Sequence, residues 1–253
     1  MSPSVDRFSG VARVFGAEGM ARLVKARVLV VGVGGVGSWS VEALARSGVG
    51  TIVMVDLDDI CATNTNRQIH ALDNNFGRLK VDALADRIRA INPECVVRAI
   101  PKFFTASTAE EILAPAYDWV IDAIDSAPQK SHLIDAAVTA GSRVVTVGGV
   151  GGLREPSGFK VVDLNRSVND KLLFLTRKRL RQTHSWKRGR AKWGVPAVFS
   201  EEFPTDPPCD AESAGDSPMR MGCEVGYGAL TYVTGVAGFI AAGVVIEALA
   251  AGD

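Results

Sequence analysis

The sequence predicts an α/β fold: a doubly wound, mostly parallel, Rossmann-like sheet with a C-terminal extension. Three observations predict it. Over 27–150, short apolar runs alternate with helical patterns. The first run, Val28 to Val31, ends in a glycine-rich turn, Gly32-Val-Gly34-Gly35-Val-Gly37. The next run, Thr51 to Val55, ends in Asp56, 19 positions after the last of those glycines. Strand, turn, helix, strand and acid in that order make a nucleotide-binding βαβ unit.

Residues 1–26 read as an amphipathic N-terminal arm carrying Arg7, Arg13, Arg22 and Lys25. Strands are expected at 27–31, 51–55, 95–100, 118–122 and 143–147, and helices at 36–47, 77–91, 107–113 and 127–140. Asn92-Pro93 stops the second helix, because a residue before proline is pushed out of the helical region. Such alternation gives parallel strands joined by right-handed crossovers. Gly148 to Gly152 breaks the pattern. Residues 159–163 read as a further strand and 171–182 as a helix. Residues 200–222, rich in Pro, Asp, Ser and Gly, read as an exposed mobile loop. An apolar helix over 227–249 closes the chain. The expected organisation is an arm (1–26), a nucleotide-binding domain (27–150) and a closing region (151–253) of the same globular unit.

Composition narrows the function classes. The 253 residues carry 28 Lys/Arg and 28 Asp/Glu, so no global field attracts nucleic acid. The charge is unevenly placed. Residues 166–193 hold ten Lys/Arg against one acid, Asp170, and the rest of the chain therefore carries −9. The four cysteines, Cys61, Cys95, Cys209 and Cys223, include no C-x-x-C pair, which argues against a tetrathiolate zinc site. With no basic stretch leading into an apolar core near residue 1, a reducing, cytoplasmic setting is expected. Residues 227–246 are twenty in a row without a charge, long enough to span a bilayer. They lack flanking basic anchors, so a buried helix with Gly and Ala at close contacts is the expectation.

The glycine turn lets the backbone approach a phosphate, and the helix behind it offers free N–H groups and a positive dipole end. Asp56 suits ribose hydroxyls. These features alone fit a nicotinamide dehydrogenase as well as an ATP enzyme. The following residues favour ATP. Asp58, Asn64, Asn66, Arg67 and Gln68 crowd the next loop, Lys80 lies in the first turn of the helix expected at 77–91, and Asp125 follows a strand. Departing pyrophosphate needs cations, and magnesium needs a carboxylate. Arg67, Lys80 and Asp125 answer both needs at the carboxyl ends of strands, where such folds bind ligands.

GVGGVGS at 32–38, Asp56 and Asp58, N-x-N-R-Q at Asn64 to Gln68, G-x-x-K at Gly77 to Lys80 and D-A-I-D-S at Asp122 to Ser126 resemble the ubiquitin-activating-enzyme superfamily of adenylating enzymes. The resemblance implies a site in which Gly32, Gly34, Gly35, Gly37, Asp58 and Gln68 surround the nucleotide. Asp56 binds ribose, Asn64, Arg67 and Lys80 hold the triphosphate, and Asp125 coordinates Mg²⁺. It also implies a homodimer in which an arginine of the arm, Arg7 or else Arg13, reaches the partner subunit's ATP site. Within the superfamily, sulfur-carrier adenylyltransferases usually carry two C-x-x-C pairs, which are absent. TNTNRQIHAL (63–72), RIRAINPEC (87–95), YDWVIDAIDS (117–126), the segment 148–152 and VFSEE (198–202) resemble instead the bacterial tRNA threonylcarbamoyladenosine dehydratase family. That implies ATP-dependent cyclisation of a modified adenosine beside the anticodon through an acyl-adenylate. Activation of a carrier protein's C-terminal glycine is the alternative. A monovalent cation and a sulfur-relay partner are further implications. The basic stretch then meets tRNA phosphates through Lys171, Arg177, Lys178, Arg179, Arg181, Lys187, Arg188 and Arg190, with Trp186, Trp193 and His184 available to stack on a base. An isolated Cys209 or Cys223 is expected to be a bystander.

Overall fold

The computed structural model describes residues 7–189, 191–205 and 227–252. Helix α1 (Ser9–Lys25) leads into β1 (Arg27–Val31), α2 (Gly37–Arg46), β2 (Thr51–Val55), α3 (Lys80–Ile91), β3 (Val96–Ile100), α4 (Ala109–Leu113), β4 (Trp119–Asp122), α5 (Ala127–Thr139) and β5 (Arg143–Val147). Beyond these come β6 (Phe159–Asp163), α6 (Lys171–Thr183), β7 (Pro196–Ser200) and α7 (Thr231–Ala251). The strands form one sheet ordered β3-β2-β1-β4-β5-β7-β6. All neighbours pair in parallel except β6 and β7, which are antiparallel. The fold expected from the glycine turn and the alternation is the one observed.

Each central strand is apolar on both faces because helices cover both. Val28 and Val30 of β1 point to a core shared with Leu44, Leu84, Ala241 and Val245. Leu29 and Val31, one residue out of phase, point to the opposite core with Leu133, Leu173, Leu180 and Phe199. The strand order reverses between β1 and β4, and this switch point places the ligand crevice at their carboxyl ends.

Three elements differ from expectation. Helix α3 starts at Lys80 rather than 77, because Gly77 sits at φ +80° and Leu79 bridges to Asp59. Strand β7 is not anticipated in the secondary-structure reading. It is a five-residue run beyond a basic loop, and its pairing with β5 and β6 is long-range. The closing helix begins at Thr231. It is long and apolar enough to cross a membrane, yet 56% of its apolar window is buried in the protein. Ala237, Ala241, Ala242 and Val245 are fully enclosed, and Ser40 of α2 donates to the Gly238 carbonyl at 2.8 Å. The arm helix α1 buries only Gly19 and Leu23, with Arg22 donating to the Ala250 carbonyl of α7. Most of the mobile loop expected at 200–222, with Cys209, lies outside the described residues, as do Cys223 and Arg190.

Candidate nucleotide site

The ends of β1, β2, β4 and β5 open onto one cavity of about 850 Å³. Two glycines shape its floor. Gly32 takes φ +81°, and a Cβ there would lie 2.9 Å from the Ala123 carbonyl oxygen. A Cβ on Gly37 would lie 1.9 Å from the Gly32 carbonyl oxygen. Any side chain at either position forces the turn apart. Gly34 and Gly35 are less confined and line the cavity, so their backbone is the part that a ligand meets. Gly37 stands behind them as the first residue of α2.

Asp56 ties the turn to the next strand. Its Oδ2 accepts from the Val33 N–H and its Oδ1 from the Asp58 N–H, each at 2.9 Å. Burial pushes its carboxyl above the usual range, opposed chiefly by the charge of Lys80. Lys80, buried at the start of α3, donates to Asp58 at 2.7 Å. Asn64 is buried and accepts from the Cys61 N–H at 3.0 Å, holding the short 62–64 turn while lining the cavity. Arg67 also lines it and uses Nη1 to donate to the Thr63 carbonyl and to Asn66. Gln68 completes this side. Asp125 stands exposed across the cavity, in the loop between β4 and α5. Asp56, Asp58, Asn64, Arg67, Gln68, Lys80 and Asp125, spread over 70 positions of sequence, thus share one crevice with the glycine turn. Among the described residues no three His, Cys, Asp or Glu side chains converge as a metal cage.

Several contributors escape sequence reasoning. Phe103, Phe104 and Thr105 after β3, Gly148 to Gly151 after β5, Leu172 of α6 and Thr234 of α7 also line the cavity. Beneath the Asp125 loop, fully buried Lys130 donates to Asp122 at 2.9 Å. Thr146 donates to the same carboxylate at 2.7 Å, and the Ile124 N–H to its other oxygen at 3.1 Å. A lysine between Gln129 and Ser131 gives no signal of burial. Asp170 caps α6 through the Leu173 N–H and also accepts from Gly149, joining that helix to the cavity wall. Its place as an N-cap before a helical pattern was the available signal.

The basic segment divides in two. Lys171, Lys178, Arg179, Lys187 and Arg188 are exposed. Arg177 is half-buried, donates to Ser167, and burial holds its pKa down. Arg181 donates to Asn165 and stacks 5.1 Å over Trp193. Trp186 donates to Asp135 and meets Trp193 edge-on at 5.0 Å, while His184 pairs with Asp135 at 2.8 Å. These side chains are engaged within the protein, because the loop after α6 must anchor itself to α5. Arg7 lies away from the cavity of its own chain and donates to the Ile91 carbonyl at the end of α3. Arg13 donates to the Ser9 carbonyl within α1. Cys61 is exposed, and burial pushes the Cys95 thiol up to about 11.

A model of the ThiF family matches residues 8–250. The tRNA threonylcarbamoyladenosine dehydratase of Escherichia coli (strain K12) is 42% identical over 242 residues, covering 93% of this chain and 90% of that protein. The crystal structure of the E. coli tRNA N6-threonylcarbamoyladenosine dehydratase in complex with ATP superposes with a TM-score of 0.88 at 39% identity, covering 98% of this chain and 95% of that one. The sulfur carrier protein adenylyltransferase of Thermus thermophilus is 38% identical over 130 residues, 51% of this chain and 48% of that protein.

Proposed function

This chain belongs to the ThiF family, and from that premise we propose that it is an ATP-dependent dehydratase of N6-threonylcarbamoyladenosine in tRNA. The observation that carries the reading is likeness to a dehydratase over nearly the whole chain, including the regions beyond the glycine-turn domain. Likeness to the sulfur-carrier enzyme covers about half of it. The substrate carboxylate is a poor electrophile. One of its oxygens attacks the α-phosphorus of ATP, pyrophosphate leaves, and a mixed anhydride with AMP forms. Attack from within the same threonylcarbamoyl group on the activated carbonyl closes the ring and expels AMP, which carries away the carboxylate oxygen. No protein nucleophile is required, so the work is positioning and charge stabilisation.

The residues divide that work. The Gly34-Gly35 backbone and the N-terminus of α2 take phosphate oxygens. Asp56 retains lone pairs for ribose hydroxyls beside the two N–H groups it already accepts. Arg67 and Lys80 balance the charge that builds on departing pyrophosphate, Lys80 exchanging part of its pairing with Asp58 for phosphate. Asn64 holds the loop that presents Arg67. Asp125, exposed on the cavity wall, would hold a magnesium ion, which needs few protein carboxylates. When bound it neutralises phosphate charge and orients the leaving group. Exposed Lys171, Lys178, Arg179, Lys187 and Arg188 meet tRNA phosphates, and a second copy of the chain supplies Arg7 to complete the site. Incubation with ATP, Mg²⁺ and either threonylcarbamoylated tRNA or a glycine-ended carrier protein tests the reading. It expects AMP release with the tRNA, and AMP release with the carrier protein alone contradicts it.

A further inference from the structure

Gln68 and His70 stand together on the loop between β2 and α3, both almost wholly buried. Gln68 lines the nucleotide cavity, and its Nε2 lies 3.6 Å from the place a Cβ on Gly34 would take. On its other side, Gln68 Oε1 lies 3.0 Å from His70 Nε2. A carboxamide presents either an acceptor or two donors, and what His70 offers decides which end faces the cavity. His70 Nδ1 is buried and has no hydrogen-bond partner among the described residues. A proton there is an orphaned donor, which costs more than an idle lone pair. The proton therefore sits on Nε2, where it meets Gln68, which must offer its oxygen. The ring carries a single proton because burial, with the charge of Lys80 second, holds it down to about 4.

We infer that His70 is a positioning residue: by donating from Nε2 to Gln68 Oε1 it turns the two N–H donors of Gln68 toward the phosphate-binding glycine turn. The reverse orientation would aim a carbonyl oxygen at a polyanion. The inference rests on the ATP reading of the cavity, which a change at Gln68 tests separately. His70 never touches the nucleotide. It sets the polarity of a residue that does.

ATP affinity and steady-state rates of the full-length protein test this. Gln68→Glu keeps the shape but replaces donors with a carboxylate, and is expected to weaken ATP at least about ten-fold. Unchanged ATP binding by that variant would remove the cavity reading itself. His70→Phe keeps the ring volume and removes the donor. It is expected to raise KM for ATP about five-fold while leaving KM for tRNA unchanged. His70→Gln, which can donate again, is expected to recover most of that loss. In a Gln68→Ala background His70→Phe is expected to add nothing. An equal additional loss in that background overturns the inference. Should His70→Phe not fold, ¹⁵N NMR of the imidazole in the unaltered protein decides. A neutral ring with the proton on Nε2 supports the inference, and a proton on Nδ1 contradicts it.

Discussion

Lys80 and Asp58, 2.7 Å apart, are unequal partners: the lysine side chain is 7% exposed and the aspartate 52%. The cation is thus held in place inside the cavity wall while its counter-ion faces solvent and can yield to phosphate. Replacing Lys80 or Arg67 by Ala is expected to lower kcat/KM for ATP about 100-fold or more, by analogy with removal of a single transition-state donor. Thermal melting separates the two, since Arg67→Ala removes a surface-side group and should leave Tm nearly unchanged. A second residue-scale prediction concerns acid stability. His70 falls from 6.5 to about 4 on folding, through burial first and Lys80 second. Between those values the unfolded chain binds a proton that the folded chain does not, so stability rises with pH there and is lost on acidification. The full loss is about 3 kcal/mol. Urea midpoints measured from pH about 5 to 7 should therefore slope less in His70→Gln than in the unaltered protein. That Arg67, Lys80 and Asp125 share one crevice was legible in the sequence, because each follows a strand end and such folds gather strand ends at one crevice. Lys130 was not, because a lysine among polar helix neighbours reads as solvated until Asp122 and Thr146 are seen around it.

Helix α7 controls the glycine turn from behind. A Cβ on Gly238 would lie 2.5 Å from the Val36 carbonyl oxygen and 2.9 Å from Trp39 Cβ, both at the start of α2. Gly238→Leu is expected to cost about 2–3 kcal/mol, lowering Tm by roughly 5–10 °C, and to weaken ATP binding by displacing the phosphate-binding N–H groups. Gly243, with open space around its Cβ position on the same helix, is the control. Gly243→Ala should stabilise by about 0.5–1 kcal/mol through helix propensity alone. Both are read in one thermal-unfolding series. Helix α6 makes a second prediction at this scale. Lys178 and Arg179 are exposed, whereas Arg177 and Arg181 are tied to Ser167 and Asn165. Lys178→Ala with Arg179→Ala is expected to weaken tRNA binding and reduce its salt slope by about one for each phosphate no longer neutralised, with ATP affinity unchanged. Periodicity revealed α6 and the alternating strands because each buries one stripe or a continuous run. It did not reveal β7, whose short run gains its meaning only from distant β5 and β6, nor which arginines turn inward.

At the scale of the molecule, a chain of zero net charge gathers ten of its 28 Lys/Arg into residues 166–193, and Leu172 of α6, within that segment, lines the nucleotide cavity. The segment that carries these cations thus also contributes to the cavity wall, which suits the proposed reaction, whose substrate is a single base on a large RNA. The cavity is assembled from strand ends, loops and helices of one chain, while Arg7 stands apart from it on the end of α3. If a second copy supplies Arg7, then Arg7→Ala and Lys80→Ala proteins, each inactive, should regain part of the activity when mixed and exchanged, because half-sites intact in both respects form across the new interface. No recovery would place Arg7 outside the chemistry. The central claim is tested most directly by nucleoside mass spectrometry of tRNA incubated with the purified protein, ATP and Mg²⁺. Threonylcarbamoyladenosine is expected to lose the mass of one water, with one AMP released per nucleoside converted. An unchanged nucleoside, in a protein that binds both ATP and tRNA, would contradict it.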